Sequence, residues 1–159
     1  MHREKERILG RLGCVISHVD LLKQAIDEKL TNICICEDDI TMKTIEFDRL
    51  ITTDRPPLLM YLSGKKELYE NCYEPNENKE GWELIKDFKV WETGCYIIDG
   101  LENIKKVYDL IVNIKCRPRL LDGMFIKYLQ KQEDTYLYKR GDEFKQDRKL
   151  PSDITFIKD

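Results

Sequence analysis

The sequence predicts an α/β domain, and three observations carry that prediction. Helical and strand-like patterns alternate along the chain, the strand-like runs are short and apolar, and the length of 159 residues suits one domain, residues 1–159. The chain is long enough to bury a core without staples. Hydrophobic residues make up 42% and charged residues 36%, which allows a folded interior under a strongly polar surface.

The first element is a helix within residues 10–30. Val15, Val19, Leu22 and Ile26 recur at helical spacing and form one apolar face. Ser17 followed by Asp20 fits an acidic capping box, or else the inside of a longer helix starting near Gly13. Asn32 ends this segment. Ile33-Cys34-Ile35-Cys36 then reads as a buried central strand, halted by Glu37-Asp38-Asp39. In open α/β sheets, ligands bind at the carboxyl ends of strands.

Further elements follow in order. Residues 45–51 form a short helix, and Pro56-Pro57 break the chain. Leu58 to Leu62 is a second buried strand closed by Ser63-Gly64, and residues 65–81 are polar and read as a long surface loop. Val90 to Ile98 reads as a strand bent at Gly94. Leu101, Ile104, Val107, Tyr108 and Ile111 mark a helix, and Leu121 to Leu129 mark another that opens on Asp122-Gly123. Tyr136-Leu137-Tyr138 is a late strand, and residues 141–159 are a charged, meandering tail.

Charge and cysteine content narrow the function. The formal net charge is −3, from 27 basic and 30 acidic residues, without the basic excess that holds phosphate backbones; no nucleic-acid partner is expected. No apolar run approaches the roughly 18 residues of a membrane span. The amino end is charged and has no apolar signal core, so a cytoplasmic location is expected. The six cysteines form no Cys-x-x-Cys pair, so zinc-ribbon spacing is absent. Cys34 and Cys36 share a strand face; reduced core thiols are the plain reading, and the even count also permits disulfides.

The acidic cluster is the chemical centre of the sequence. Three adjacent carboxylates repel one another, and a divalent cation offsets that directly. Oxygen ligands at a strand end suit Mn²⁺ or Mg²⁺. A solvated acidic turn is the plain alternative, and a phosphate-accepting pocket with strand-end carboxylates is another. His18 sits among apolar helix neighbours, where a structural role is the commoner one. Trp82 and Trp91 flank the segment after the loop and serve either packing or sugar stacking.

Several segments together resemble a known family. Gly10-Arg11-Leu12-Gly13-Cys14-Val15-Ile16-Ser17-His18 is similar to the Gly-x-x-Gly-Cys-x-x-Ser-His stretch of glycosyltransferase family 25, which includes lipooligosaccharide and collagen galactosyltransferases. A helix and a strand ending in Glu37-Asp38-Asp39 follow at similar spacing. Leu58 to Gly64, Thr93-Gly94-Cys95-Tyr96, Leu121-Asp122, and Gln146 with Ser152-Asp153-Ile154 resemble later family segments, so the likeness spans about residues 10–157.

The resemblance implies a three-layer nucleotide-sugar-binding sandwich of the A type around a mixed sheet. It implies inverting, metal-assisted transfer of a hexose, galactose or glucose, from a nucleoside-diphosphate sugar (a UDP-sugar first) to a glycan or protein hydroxyl. It assigns Glu37 and Asp39 to the metal, Asp122 to the base, and Asp38, His18, Thr93 and Tyr96 to the substrate. Family members begin with a further strand and helix of the nucleotide pocket, which this pattern lacks, and Glu92 stands where the family has glycine. A catalytically inactive relative that binds carbohydrate or acts as a scaffold is therefore the alternative.

Overall fold

The computed structural model describes residues 2–42, 58–68, 78–79, 82–85, 88–92, 94–113, 121–130, 135–138 and 144–146. The first element, helix α1, runs from His2 to Asp27. It begins well before Gly13, so Ser17 caps nothing: its hydroxyl donates back to the Gly13 carbonyl inside the helix. Leu22 and Ala25 are buried, and Val15, Val19 and Ile26 pack beside them, as the spacing predicts. The helix stops at Asp27 rather than Asn32. The Leu30 amide donates to the Ala25 carbonyl and the Lys29 amide to the Ile26 carbonyl, a Schellman end with Lys29 at the left-handed position (φ 56°).

Strands β1 (Asn32–Cys36), β2 (Ile40–Met42), β3 (Leu59–Tyr61), β4 (Lys65–Leu68), β5 (Asn78–Lys79), β6 (Trp82–Leu84), β7 (Phe88–Trp91) and β8 (Cys95–Asp99) follow. Then come α2 (Leu101–Asn113), α3 (Leu121–Tyr128), β9 (Thr135–Tyr138) and β10 (Phe144–Gln146). The main sheet has the order β1-β8-β3-β9-β6-β5. It is mixed: β3 and β9 run parallel, and the other pairings are antiparallel. The ribbons β10-β2 and β4-β7 complete the strands described.

Side chains alternate across the central strands and build two cores. Leu59, Tyr61, Tyr96 and Ile98 share one cluster with Leu22, Ile104, Val107, Ile111, Met124 and Phe125, so α1, α2 and α3 all lie on that face. Met60, Leu62, Cys95 and Ile97 face the opposite side and meet Trp82, Phe144 and Ile40, which brings in the β10-β2 ribbon. The chain is thus a mixed α/β fold around a mixed sheet.

Several sequence expectations need correction. The strand before the acidic cluster is not central: β1 is the edge of the main sheet as described, and of its residues only Ile35 is buried. Its apolar run is short because one face packs under α1 while Cys34 and Cys36 face out. The predicted loop over 65–81 contains β4 and β5, which pair with β7 and β6. The single strand over Val90 to Ile98 is two strands, divided around Glu92, which takes a left-handed φ of 67°. That conformation is one that glycine adopts more readily than glutamate. The tail contains β10. The helix expected over 45–51 and the segment Ser152-Asp153-Ile154 lie outside the described residues.

Two interior polar devices were not foreseen. Gln130 is fully buried; its amide donates to the Tyr61 hydroxyl (2.8 Å) and the Val90 carbonyl (2.9 Å) and accepts from the Val90 amide (3.0 Å). It thereby ties β3 to β7 with every contact satisfied. Lys66 pairs with the buried Glu83 at 2.6 Å and lies over the Phe88 ring, joining the β4-β7 ribbon to the main sheet. Trp82 packs in the second core against Tyr138, and the half-buried Trp91 donates its indole N–H to Glu67.

The end of α1 yields a prediction. A left-handed lysine costs about 1–2 kcal/mol, against about 0.5–1 kcal/mol of extra chain entropy for glycine. Lys29→Gly is expected to raise stability by about 0.5–1 kcal/mol, read by urea unfolding. A loss of stability contradicts this.

Candidate functional site

Glu37 continues the β1-β8 ladder, its amide donating to the Gly94 carbonyl at 2.7 Å. The Ile40 amide then donates to the Glu37 carbonyl, so Glu37 to Ile40 form a tight turn with Asp38 and Asp39 at its corners. The acidic cluster is therefore a turn, but a solvated one only at Asp38. Asp39 is 7% exposed and Glu37 is half-buried. Gly94 makes this possible: a Cβ there would sit 2.6 Å from Ile40 Cδ1. Its absence lets Ile40 anchor the turn onto the start of β8.

Helix α1 supplies the opposite wall. Cys14 and His18 are four residues apart and project from one helical face. Cys14 Sγ lies 3.9 Å from Glu37 Oε1, and His18 Nε2 lies 4.0 Å from the same oxygen. The other imidazole nitrogen, Nδ1, is hydrogen-bonded to the Tyr96 hydroxyl at 2.6 Å, and the two rings stack with an interplanar angle of 13°. Tyr96 is fully buried and sets its ring edge-on to Phe125. Helix α3 brings Asp122 through its first turn, where the carboxylate accepts from the Glu92 amide at 3.2 Å.

Burial and neighbouring charge both act on the titratable groups of the site. Burial pushes the Glu37 carboxyl up to about 7, helped by the charges of Asp39, Asp122 and Asp38. Burial lowers His18 to about 4, which Asp122 opposes, and raises the Cys14 thiol to about 11 with help from Glu37 and Asp122. The metal-free site at neutral pH thus holds a neutral imidazole, a thiol and a carboxyl poised between its two forms.

The predicted residues are distributed as follows. The charges of Asp39, Asp122 and Asp38 all reach Glu37, and His18 and Cys14 lie beside it. Tyr96 joins this group through its hydrogen bond to His18, and Thr93 lies outside the described residues. Cys14 is the residue that sequence reasoning treated as a plain core thiol; its spacing of four from His18 was the available signal. The expectation of reduced thiols fails for Cys36 and Cys95. These directly opposed residues of β1 and β8, with Cα atoms 4.2 Å apart, form a disulfide, while Cys14 and Cys34 are free. The sulfur of Cys34 lies 3.7 Å and 3.8 Å from those of Cys36 and Cys95.

The clustered carboxylates lie where an edge strand of the mixed sheet turns. A family model, that of glycosyltransferase family 25 (LPS biosynthesis protein), matches residues 2–80, the stretch that contains α1, β1 and the acidic turn. The match covers just under half of the chain and bears out the resemblance to that family read in the sequence. A search of curated proteins finds no match. Among the described residues no helix is long and apolar enough to cross a membrane.

The opposed shifts of Glu37 and His18 predict a pH signature in chelator-treated protein. Glu37 is raised from 4.5 to about 7, so the folded chain holds a proton that the unfolded chain has lost, and its contribution to stability falls as pH rises through that window. His18 is lowered from 6.5 to about 4, so its contribution grows as pH rises from 4 to 6.5. The two slopes oppose each other where they overlap. Relative to the native protein, Glu37→Gln is expected to gain stability progressively from pH 4.5 to 7, followed by urea unfolding at each pH. A pH-independent difference between the two proteins contradicts the assigned shift.

Proposed function

We propose that the protein is a glycosyltransferase that moves a hexose, galactose or glucose, from a UDP-sugar to a hydroxyl of a glycan or protein, with inversion at the anomeric carbon. The observation that carries this reading is the turn of Glu37, Asp38 and Asp39 at the end of β1, within the stretch that matches the family. The same reading takes the mixed sheet with its helical face as part of a nucleotide-sugar-binding sandwich of the A type.

The donor set fits a hard divalent cation. Glu37 is raised first by burial and then by the charges of Asp39, Asp122 and Asp38, and a positive ion would relieve the second part. Glu37 and Asp39 are the residues that would hold Mn²⁺ or Mg²⁺, with Asp38 exposed beside them for the donor. A bound ion supplies Lewis-acid stabilisation of the charge that develops on the diphosphate as it leaves.

The chain's own residues account for the remaining steps. Asp122 takes the proton of the acceptor hydroxyl as that oxygen attacks the anomeric carbon. The bond from that carbon to the diphosphate oxygen breaks, and its electron pair leaves with the nucleoside diphosphate. The Glu92 amide donates to one oxygen of the Asp122 carboxylate and so helps to position it. His18, held by Tyr96, walls the site on the α1 side. Thr93 would complete the substrate side.

Donor turnover tests the reading. UDP release from UDP-galactose or UDP-glucose is expected with Mn²⁺, and Asp122→Asn, which keeps an oxygen for the Glu92 amide, is expected to lower kcat by about 10²–10⁴-fold. NMR of the product is expected to show an inverted anomeric centre. A folded protein that neither binds nor turns over either donor at millimolar concentration overturns the proposal, and retention of configuration overturns the assignment of Asp122 as base.

A further inference from the structure

We infer that Cys14, His18 and Glu37 form a zinc site that fastens helix α1 to the acidic turn. The three residues each present one ligand atom, Sγ, Nε2 and Oε1, and these atoms all lie within 4.8 Å of one another. Two of the separations are 3.9 Å and 4.0 Å. A tetrahedral zinc with bonds of about 2.0–2.3 Å holds its ligands roughly 3.3–3.8 Å apart, so the set closes onto an ion with small side-chain rotations.

The chemistry of the donors selects the metal. One thiolate, one imidazole and one carboxylate suit zinc, whereas Mg²⁺ and Mn²⁺ prefer oxygen-only sets. The spacing is also that of a metal-binding helix face: ligands at i and i+4 stand one above the other. A second, independent feature is the orientation of the imidazole. His18 is 4% exposed, and its Nδ1 is held by the fully buried Tyr96 hydroxyl at 2.6 Å. When Nδ1 carries the proton and donates it to Tyr96, Nε2 presents its lone pair to the cluster. Ligating histidines are ordinarily oriented by such an outer partner. The position four residues before His18 thus carries a ligand, which the sugar-transfer reading does not use.

Binding forms bonds from the metal to sulfur, nitrogen and oxygen, and the Cys14 thiol releases its proton to solvent. The fourth coordination position is left to water. Glu37 is shared with the proposed diphosphate clamp, Oε1 serving α1 and its second oxygen remaining for the Asp39 side. The zinc site does not depend on sugar transfer, and the two readings fail separately. Loss of donor binding in Asp39→Asn with zinc retained touches only the clamp.

The protein with its Cys36–Cys95 disulfide intact, stripped by chelator, is titrated with Zn²⁺ and with Co²⁺ as a coloured substitute. One equivalent is expected to bind, with a thiolate-to-cobalt band. Cys14→Ser and His18→Gln are expected to weaken zinc by more than about 100-fold, beyond the loss that an outer-shell partner causes. Cys34→Ser is expected to leave binding unchanged. X-ray absorption at the zinc edge of the unmutated protein reads the ligands without any variant: one sulfur at about 2.3 Å and nitrogen or oxygen at about 2.0 Å are expected. Absence of stoichiometric binding overturns the inference, and so does a zinc shell without sulfur or loss of binding in Cys34→Ser.

Discussion

The hydrogen bond between His18 Nδ1 and the Tyr96 hydroxyl is the contact on which the architecture of the site depends. It crosses from α1 to β8 inside the main core, at 2.6 Å, between two buried side chains. Leaving either group without its partner costs about 1–3 kcal/mol, so the helix has one rotational setting in which both are satisfied. That setting presents Cys14 and the free nitrogen of His18 to Glu37. Because β8 pairs with β1 through Ile35 and Cys36, the register that places Tyr96 also places the end of β1. One polar contact in an apolar layer therefore aligns a helix, an edge strand and the turn that follows.

The turn itself shows how consecutive like charges are accommodated. Asp38 stays in water, Asp39 is buried, and Glu37 leans toward α1 with its carboxyl pushed up to about 7. Spreading the side chains in different directions lowers their mutual repulsion without removing it. The remaining negative potential is what a cation or the proton on Glu37 neutralises. Gly94 and Ile40 keep the turn against β8 while Glu92, in a left-handed conformation, directs its amide at Asp122. A glutamate in this conformation carries a higher conformational cost than a glycine would.

Much of this was legible in the residues. Helix periodicity located α1, α2 and α3 because each has one face pressed on the sheet, and periodicity reports burial of one face. The acidic turn and Asp122 were visible as charge at element boundaries. The position of β1 was not: Ile33-Cys34-Ile35-Cys36 reads as continuous apolar surface because cysteine counts as apolar, yet Cys34 and Cys36 face outward from an edge strand. The division of β7 from β8 was hidden because nothing in Trp91-Glu92-Thr93 announces a left-handed glutamate. The β4-β7 ribbon was hidden as well, since Lys65 to Leu68 is an exposed strand held by partners far away in the chain. The pairing of Cys14 with Glu37 needed the fold, because it spans 23 positions.

The central claim is that the turn after β1 is where a cation and a nucleoside diphosphate meet. Paramagnetic broadening by Mn²⁺ in a backbone NMR spectrum tests it most directly. Substoichiometric Mn²⁺ with UDP is expected to erase the amide resonances of Glu37, Asp38, Asp39, Ile40 and Asp122 first. Broadening that spares the turn and falls on exposed helical carboxylates such as Asp27 and Glu102 would contradict it.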